Sequence, residues 1–269
     1  MKKLFRTIKR YLRVYRMLLR LNLNTLFAYR ANFINSATAN TVWAIFVIVM
    51  MLLLTSKASN IYGWTRYELL VMAGTYNIIF SIFYFFFSRN FGEFSNNIHF
   101  GRLDAYLTKP IDIQFLMSCM HVSYTHIIRF FLGTGFVIYI LHKMQAVVTP
   151  LSVLYFAFFV ILSVIIMYSL WLTVITLTIW YTKLSNLVDL LYESHNVSRY
   201  PQEIYKGASV YVFYALFPLT LIVTVPAKAI LQKILLGDIL WPIVFAVVLF
   251  VISRKFFRYA LRSYTSASG

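Results

Sequence analysis

Long runs of residues without a single charge alternate along the chain with shorter polar segments. Four such runs, each of twenty residues or more, lie at residues 31–56, 69–88, 146–182 and 208–227. A helix of about 20 apolar residues crosses the hydrocarbon core of a bilayer. A water-soluble protein could not hide four such runs, because its surface helices need a polar face toward water. The pattern therefore predicts an all-α membrane protein.

Shorter apolar stretches between and after these runs raise the predicted number of transmembrane helices to six. The predicted spans are 32–54, 67–88, 113–141, 150–181, 208–225 and 239–253. The last span is short for a bilayer, and an apolar stretch at 226–238, interrupted by Lys228 and Lys233, precedes it. We interpret this stretch, which Pro226 and Ala227 begin, as a re-entrant element on the outer side.

The N-terminal residues 1–30 form a basic amphipathic segment. Phe5, Ile8 and Leu12 recur at helical spacing, and lysine and arginine residues fill the positions between them. Such a helix suits the headgroup layer of an anionic leaflet. A solvated basic tail is the alternative, and the regular apolar stripe favours the interfacial helix.

The distribution of positive charge gives the orientation. With the N-terminus inside, nineteen lysine and arginine residues fall on the inner side and five on the outer side. This bias agrees with the positive-inside rule. The basic C-terminal segment that begins at Arg254 is also inside only if the number of spans is even. Both termini are therefore expected in the cytoplasm.

Composition narrows the function further. Apolar residues make up 61% of the chain and charged residues 12%, with a net charge of +17. The positive charge lies at the ends and in the loops and accompanies no nucleic-acid-binding motif, so nucleic acid is not an expected partner. The single cysteine, Cys119, excludes an internal disulfide and a cysteine-based metal site.

The predicted spans carry almost no catalytic or ion-coupling chemistry. All eight carboxylates fall in loops or at span ends, which argues against proton- or sodium-coupled transport. His121, His126 and Arg129 come closest to a site, but no carboxylate accompanies them, so neither a metal nor a catalytic centre is expected. Arg129 could face an aqueous cavity, pair with a partner subunit or lie on a part of the third span that protrudes into the cytoplasm. The polar residues before it favour the third alternative.

The sequence lacks the G-x-x-x-x-G-K-[ST] motif of P-loop ATPases. We therefore expect a protein that is not itself an enzyme and binds no cofactor. Any ATP and Mg²⁺ would be bound by a partner subunit.

Two polar segments on the predicted inner side, residues 89–112 and 182–207, read as partly helical and amphipathic. In the first, Phe91, Phe94 and Ile98 share one helical face. Such segments could dock a soluble partner or lie on the membrane, and the residues alone leave both alternatives open.

Two motifs in these segments resemble a known family. GRLDAYLTKPI, from Gly101 to Ile111, is similar to the "G-x-L-D-x-x-L-x-[KR]-P-[IL]" signature of ABC type-2 exporter permeases. RYPQEIYKG, from Arg199 to Gly207, together with the downstream FPLTLIVTVPAKAIL, resembles a second signature of that family. The order of the motifs and the six-span layout extend the resemblance over residues 1–269, as one permease domain.

The resemblance implies the membrane subunit of an ATP-driven exporter in the bacterial plasma membrane. Two permease chains, identical or paralogous, would pair with a dimer of P-loop ATPases. The segment around Phe91 would be the helix that couples the permease to the ATPase, and the N-terminal helix would lie at the membrane surface. The motif residues expected to act at these inner contacts are Phe91, Phe94, Ile98, Gly101, Asp104 and Pro110 in the first segment, and Arg199, Tyr200, Pro201, Tyr205 and Gly207 in the second.

The apolar, aromatic spans favour an amphipathic, lipid-like or drug-like cargo. A polysaccharide-exporting permease of the same class is one alternative, and a membrane scaffold or assembly protein without transport activity is another. An intramembrane enzyme is disfavoured because the spans lack an acid, base or metal constellation.

Overall fold

The computed structural model describes residues 2–56, 60–181, 193–207 and 210–264. Nearly all of these residues are helical, and the exception is a small hairpin of two strands, β1 (Asn60–Ile61) and β2 (Trp64–Thr65). The α-helices are α1 (Lys2–Ala28), α2 (Arg30–Leu54), α3 (Arg66–Phe83), α4 (Arg89–His99), α5 (Asp104–Leu107), α6 (Ile113–Cys119), α7 (Ile127–Lys143), α8 (Pro150–Thr176), α9 (Val210–Ile230) and α10 (Leu236–Arg262).

Short segments of other helix types complete the chain. A π-helical turn, Tyr84–Ser88, joins α3 to α4 without a break. The 3₁₀ segments are Tyr124–His126, Leu177–Ile179, His195–Arg199 and Gln202–Gly207.

Within the described residues, five helices are long and apolar enough to cross a membrane: Arg30–Leu54, Arg66–Ile98, Tyr124–Lys143, Pro150–Ile179 and Leu236–Arg262. The all-helical membrane fold is thus confirmed. The remaining predicted span, the fifth at 208–225, corresponds to α9, whose described apolar stretch is Pro218–Ile230. Six spans remain the prediction, and five are found in the described part of the chain.

The bundle is organised around α3, which packs against α2, α7 and α9, while α8 packs against α9 and α10. The interior is aromatic: Tyr76, Phe80, Phe83 and Trp171 are among its largest fully buried side chains. Helix starts follow local sequence signals. Thr149 and Ser152 exchange hydrogen bonds of 3.2 Å at the start of α8, where Pro150 occupies the first turn.

The third span is shorter than predicted. The sequence predicts it from residue 113, but α6 ends at Cys119 and α7 begins only at Ile127. Asn90 allows the break, because its side-chain amide donates to the carbonyls of Ser118 and His121 and accepts from the N–H of His121, at 2.8–2.9 Å. A broken helix needs such partners for its freed backbone groups inside a membrane protein.

The last span is longer than predicted. The charge-free run predicts a span over residues 239–253, whereas α10 extends over 27 residues from Leu236 to Arg262. Charges at both ends are accommodated by pairing: Asp238 bonds to Lys228, and Arg254 bonds to Asp112. A count of uncharged residues therefore underestimates this helix.

The re-entrant element predicted at 226–238 is not confirmed. Pro226 and Ala227 lie inside α9, which continues to Ile230. Only residues 231–235 separate α9 from α10, and Gln232 adopts a φ of 57° in that turn.

Candidate functional site

Arg129 lies in the first turn of α7 and is 2% exposed. Its Nε donates a hydrogen bond of 2.9 Å to Oδ1 of Asn77 on α3. Its guanidinium carbon lies 5.5 Å from the ring centre of Tyr76 and 5.8 Å from that of Tyr84. Of the three alternatives raised for Arg129, a position facing a cavity agrees with the structure, because Arg129 lines the cavity described below.

A second arginine is buried nearby. Arg199, from the second motif, is 8% exposed, and its guanidinium carbon lies 5.2 Å from the ring centre of Trp43 and 5.3 Å from that of Tyr76. Tyr76 therefore contacts both guanidinium groups. Within the part of the chain that the structure describes, no carboxylate lies within ion-pair distance of Arg129 or Arg199.

The π-helical turn lies beside this buried polar cluster. The ring of Tyr84, the first residue of the turn, stacks on His126 at 5.2 Å and approaches the ring of His195 at 6.0 Å. Turns of this type insert one residue into an α-helix and occur often at functional sites. In the aromatic run Phe83–Phe87, Phe83 is fully buried, Phe87 packs 5.0 Å from Tyr168 and Phe86 is exposed.

A cavity of about 640 Å³ opens beside Arg129. We call it the polar cavity. Its lining residues are Asn40, Trp43, Tyr84, Ser88, Arg89, Gly92, Glu93, Asn96, His126, Arg129, Glu193, His195 and Asn196. It reaches from the first turn of α7 along one face of the continuous α3–α4 helix.

The first motif forms the end of the bundle near α4. Gly101 ends α4 with a φ of 64°, a conformation that glycine adopts without strain. Leu103 anchors the following turn because it is fully buried, and Asp104 begins α5. Pro110 follows α5 and is exposed.

The face predicted to dock an ATPase is buried within the chain. Phe91 and Phe94 are each 2% exposed and Ile98 is 5% exposed. Phe91 packs 5.6 Å from Tyr168 of α8, and Phe94 packs 5.7 Å from Phe257 of α10. The amphipathic stripe of α4 thus faces its own bundle, and these three residues are covered by the chain itself.

Two large apolar residues after α4 are exposed. Phe100 is 62% exposed and Leu107 is 39% exposed. Arg102 lies 5.3 Å from the ring centre of Phe100, and Lys109 lies 5.2 Å from that of Tyr106. We call residues 100–110 the exposed turn, since it presents apolar and basic groups together.

Asp112 connects three helices immediately after this turn. It caps α6 by accepting a hydrogen bond of 3.1 Å from the N–H of Phe115, and its carboxylate pairs with Arg254 of α10. Its own N–H donates to the hydroxyl of Tyr11 on α1 at 3.1 Å. The hydrogen bond from Arg254 lowers the pKa of Asp112 below its ordinary value, although burial opposes the shift.

The N-terminal helix packs along this region. Asn22 donates a hydrogen bond of 2.9 Å to the carbonyl of Met120, and Tyr11 packs edge-to-face on Phe115 at 4.7 Å. Phe5 and Leu12 remain exposed on another face of α1. The helix predicted over residues 1–30 is therefore present, with one face on the bundle and an apolar stripe left open.

The described part of the second motif packs inside the bundle. Residues 182–192 lie outside the described residues, whereas Arg199 and Pro201 are buried and the hydroxyl of Tyr205 donates to the carbonyl of Val197 at 3.0 Å. Tyr200 is half-buried, and Gly207 ends the 3₁₀ segment. These residues do not form a surface comparable to the exposed turn.

Glu203 belongs to a charged network at the opposite end of the bundle. It accepts a hydrogen bond from Nε1 of Trp64 at 3.0 Å and pairs with Lys228 at 3.0 Å, and Lys228 also bonds to Asp238 at 3.1 Å. Burial is the largest single effect and raises the pKa of Glu203, but the charge of Lys228 and the hydrogen bonds from the backbone, Lys228 and Trp64 together outweigh it and lower the pKa of that carboxyl. The predicted topology has Glu203 on the inner side and Trp64 and Lys228 on the outer side. The structure corrects the position of Glu203, because its contacts place all three residues at the same end of the bundle.

Sequence reasoning missed the residues that hold the buried arginines. Trp43, Tyr76 and Asn77 were read only as members of apolar spans. The available signal was Asn77 itself, a polar residue in the middle of a charge-free run, where its amide needs partners. Within the described residues, no three histidine, cysteine, aspartate or glutamate side chains are grouped as a metal site would require.

The helices define a multi-pass membrane protein, and the polar cavity lies within its largely apolar bundle. Residues 41–268 match the family described as "ABC-2 family transporter protein", so the chain belongs to the ABC-2 transporter membrane family. It matches no curated protein significantly. The family is a transport permease component that generally lacks an ATPase site of its own, and membership implies association with an ABC ATPase subunit.

Proposed function

We propose that this chain is the permease subunit of an ATP-driven exporter, and that it moves an amphipathic, lipid-like or drug-like cargo out of the cytoplasm or the inner leaflet. Family membership and the absence of a P-loop motif support separate transport and ATPase subunits. The polar cavity beside apolar, aromatic helices supports a cargo with both a polar and an apolar part.

The exposed turn is the proposed contact with the ATPase. Phe100 and Leu107 are exposed apolar residues on a short, well-anchored segment, which is typical of a docking element. Leu103, fully buried between them in the sequence, fixes the turn to the bundle. The proposal rests on the exposure of Phe100 and Leu107. We therefore assign the coupling role expected of Phe91, Phe94 and Ile98 to the residues that follow them.

The geometry supplies a route from the exposed turn to the polar cavity. The continuous helix from Arg66 to Ile98 carries Tyr84 beside Arg129 and ends immediately before the exposed turn. Asp112 ties the segment after the turn to α1 and α10. In this proposal, closure of the ATPases displaces the exposed turn, and these connections transmit the displacement to the cavity.

The proposed assembly contains two permease chains, identical or paralogous, and two ATPase subunits in a bacterial plasma membrane. The excess of lysine and arginine on the segments that include the exposed turn supports a cytoplasmic location for it and for both termini. In this orientation, the exposed apolar stripe of α1 with Phe5 and Leu12 lies in the headgroup layer of the inner leaflet.

Purification of the native complex tests this function. We expect affinity-tagged permease to co-purify with a P-loop ATPase in comparable amount, and the complex to hydrolyse ATP. Recovery of the chain with other partners and without ATP turnover would instead support a scaffold or assembly role.

Labelling of introduced cysteines tests the orientation. Burial raises the pKa of Cys119 to about 11, so the native thiol reacts slowly at neutral pH. We expect Tyr62→Cys, in the β-hairpin turn, to react with a membrane-impermeant maleimide in intact cells, and Leu107→Cys to react only after the membrane is opened. The reverse pattern would invert the proposed topology.

A further inference from the structure

The polar cavity has a cationic end that is buried in the bundle. Arg129 and His126 line it directly, and Arg199 lies against Trp43, which also lines it. Nη2 of Arg129, and Nε and Nη2 of Arg199, are buried and have no hydrogen-bond partner among the described residues. Two nearly fully buried guanidinium groups with free donors therefore lie around the single ring of Tyr76.

The surrounding groups offset only part of the cost of these charges. A charge in a membrane interior costs several kcal/mol on insertion scales, and more by simulation. A ring contact contributes about 0.5–2 kcal/mol, and the hydrogen bond that Arg129 donates to Asn77 is made to a neutral acceptor. Retaining both arginines under these conditions is typical of a site that receives an anion, as intramembrane charges mark substrate paths by default.

Two carboxylates also line the cavity. Glu93 is nine residues beyond Tyr84 on the same continuous helix, which corresponds to about 13 Å. Glu193 also lines the cavity and accepts a hydrogen bond of 2.9 Å from Asn196. Arg89, between Tyr84 and Glu93, is the further cation on this wall.

We propose that the polar cavity binds the anionic group, a phosphate or a carboxylate, of an amphipathic molecule. Arg129 is the principal ligand, Arg199 supplies a second positive charge behind Trp43 and Tyr76, and the bidentate fork of a guanidinium suits both anions. That this molecule is the exported cargo rests on the proposed function, whereas the existence of the anion site does not.

Binding to the purified full-length chain in a neutral detergent tests the site. Dodecyl phosphate is the amphipathic probe, inorganic phosphate the small-anion probe and dodecyl maltoside the uncharged amphiphile. We expect saturable binding of dodecyl phosphate, followed by native mass spectrometry or by a change in tryptophan fluorescence at Trp43. Weaker binding of inorganic phosphate would identify an amphiphile site, and equal binding would identify a site for a free anion.

Variants assign the binding to the arginines. Arg129→Gln is expected to weaken dodecyl phosphate binding about tenfold or more, and Arg199→Gln to weaken it less. Asn77→Asp keeps Arg129 paired and the fold supported, but places a competing carboxylate on it, so it should also weaken binding. Arg102→Gln, in the exposed turn, is the matched control and should bind as the wild type does.

Unchanged binding in Asn77→Asp and Arg199→Gln, both confirmed as folded by gel filtration, would overturn the proposal even if Arg129→Gln failed to fold. Failure of the wild type to bind either phosphate probe would also overturn it. None of these results depends on an ATPase. The anion site and the exporter function can therefore fail separately.

Discussion

Asn77 accepts a hydrogen bond from Nε of Arg129 at 2.9 Å, so two polar side chains meet between helices α3 and α7 where both are almost completely buried. The amide nitrogen of Asn77 in turn donates to the carbonyls of Ala44 and Ala73, both at 3.3 Å. One asparagine therefore links Arg129 to α2 and α3. This hydrogen bond holds the guanidinium of Arg129 at the buried end of the polar cavity.

Replacement of Asn77 by leucine should destabilise the fold by about 1–3 kcal/mol, because it removes a hydrogen-bond acceptor from the buried Arg129. Asn77→Asp should retain wild-type stability or exceed it, since a carboxylate is a stronger acceptor for Arg129. Thermal unfolding in detergent measures both variants, with Asn96→Leu on α4 as the control. Equal unfolding temperatures for Asn77→Leu and the wild type would show that Asn77 does not support Arg129.

The approach of α3 to α7 depends on Gly133. A Cβ at this position would lie 3.0 Å from the carbonyl oxygen of Gly74 and 3.1 Å from the backbone nitrogen of Ile78. Because these are backbone atoms, the helices must separate to accept it, and Gly133→Ala should destabilise the protein by about 1–3 kcal/mol. Gly135→Ala is the matched control on the same helix, since nothing lies within 4 Å of its Cβ. If both variants unfold at the same temperature, the close packing at Gly133 is not important for stability.

Lys228 is a buried cation between two carboxylates, whereas Lys233 is an exposed cation paired with one buried carboxylate, Glu68. Lys228 bonds to Glu203 and Asp238 with its side chain 11% exposed, whereas Lys233 pairs with Glu68 at 2.6 Å with its side chain 49% exposed. Lys228→Met leaves two largely buried carboxylates without a cation and should cost about 3 kcal/mol. Lys233→Met should cost less than Lys228→Met, because it leaves a single buried carboxylate, Glu68, which still accepts a hydrogen bond from the N–H of Thr65. Chemical denaturation of the two variants measures the difference, and similar losses would contradict the burial of the network.

The Asp112–Arg254 pair should make stability depend on pH. The pKa of Asp112 is lowered in the folded protein, so its contribution is fully present above the ordinary pKa of an aspartate, about 4, and is lost as the pH falls through the lower folded value. The unfolding temperature of Asp112→Asn should therefore lie below that of the wild type at pH 7. The two should converge as the medium becomes more acidic than the ordinary pKa. A constant difference across the acidic range would show that Asp112 does not act through its charge.

The sequence predicts helices well where the local signal is sufficient. Runs free of charge located α2, α3 and α8, and the basic amphipathic pattern located α1. The break after α6 could not be predicted, because it depends on Asn90 reaching two carbonyls thirty residues away in the chain. A count of uncharged residues likewise underestimates the length of α10, because the charged residues near its ends are paired and belong to the helix.

In the candidate site, too, local sequence patterns predict some features, and others depend on contacts between residues far apart in the chain. The stripe of Phe91, Phe94 and Ile98 correctly indicated a face that must be covered, but an amphipathic pattern does not say what covers it, and here the chain covers it itself. Arg129 stood out in the sequence as a charge in a span. The proximity of Arg129 to Arg199 depends on both packing against Tyr76, and Tyr76 and Arg199 are 123 positions apart in the chain. Only the folded structure shows this proximity.

Recovery of the ATPase with surface variants tests the central claim, coupling through the exposed turn, most directly. The double variant Phe100→Asp, Leu107→Asp changes two exposed residues of this turn, and Tyr62→Asp, 65% exposed in the native chain, changes one at the opposite end of the bundle. Tagged permeases are purified from native membranes, and the co-purified P-loop ATPase is quantified. We expect the double variant to lose the ATPase while remaining folded, and Tyr62→Asp to retain it. Wild-type recovery with the double variant, or loss with Tyr62→Asp, would contradict the account.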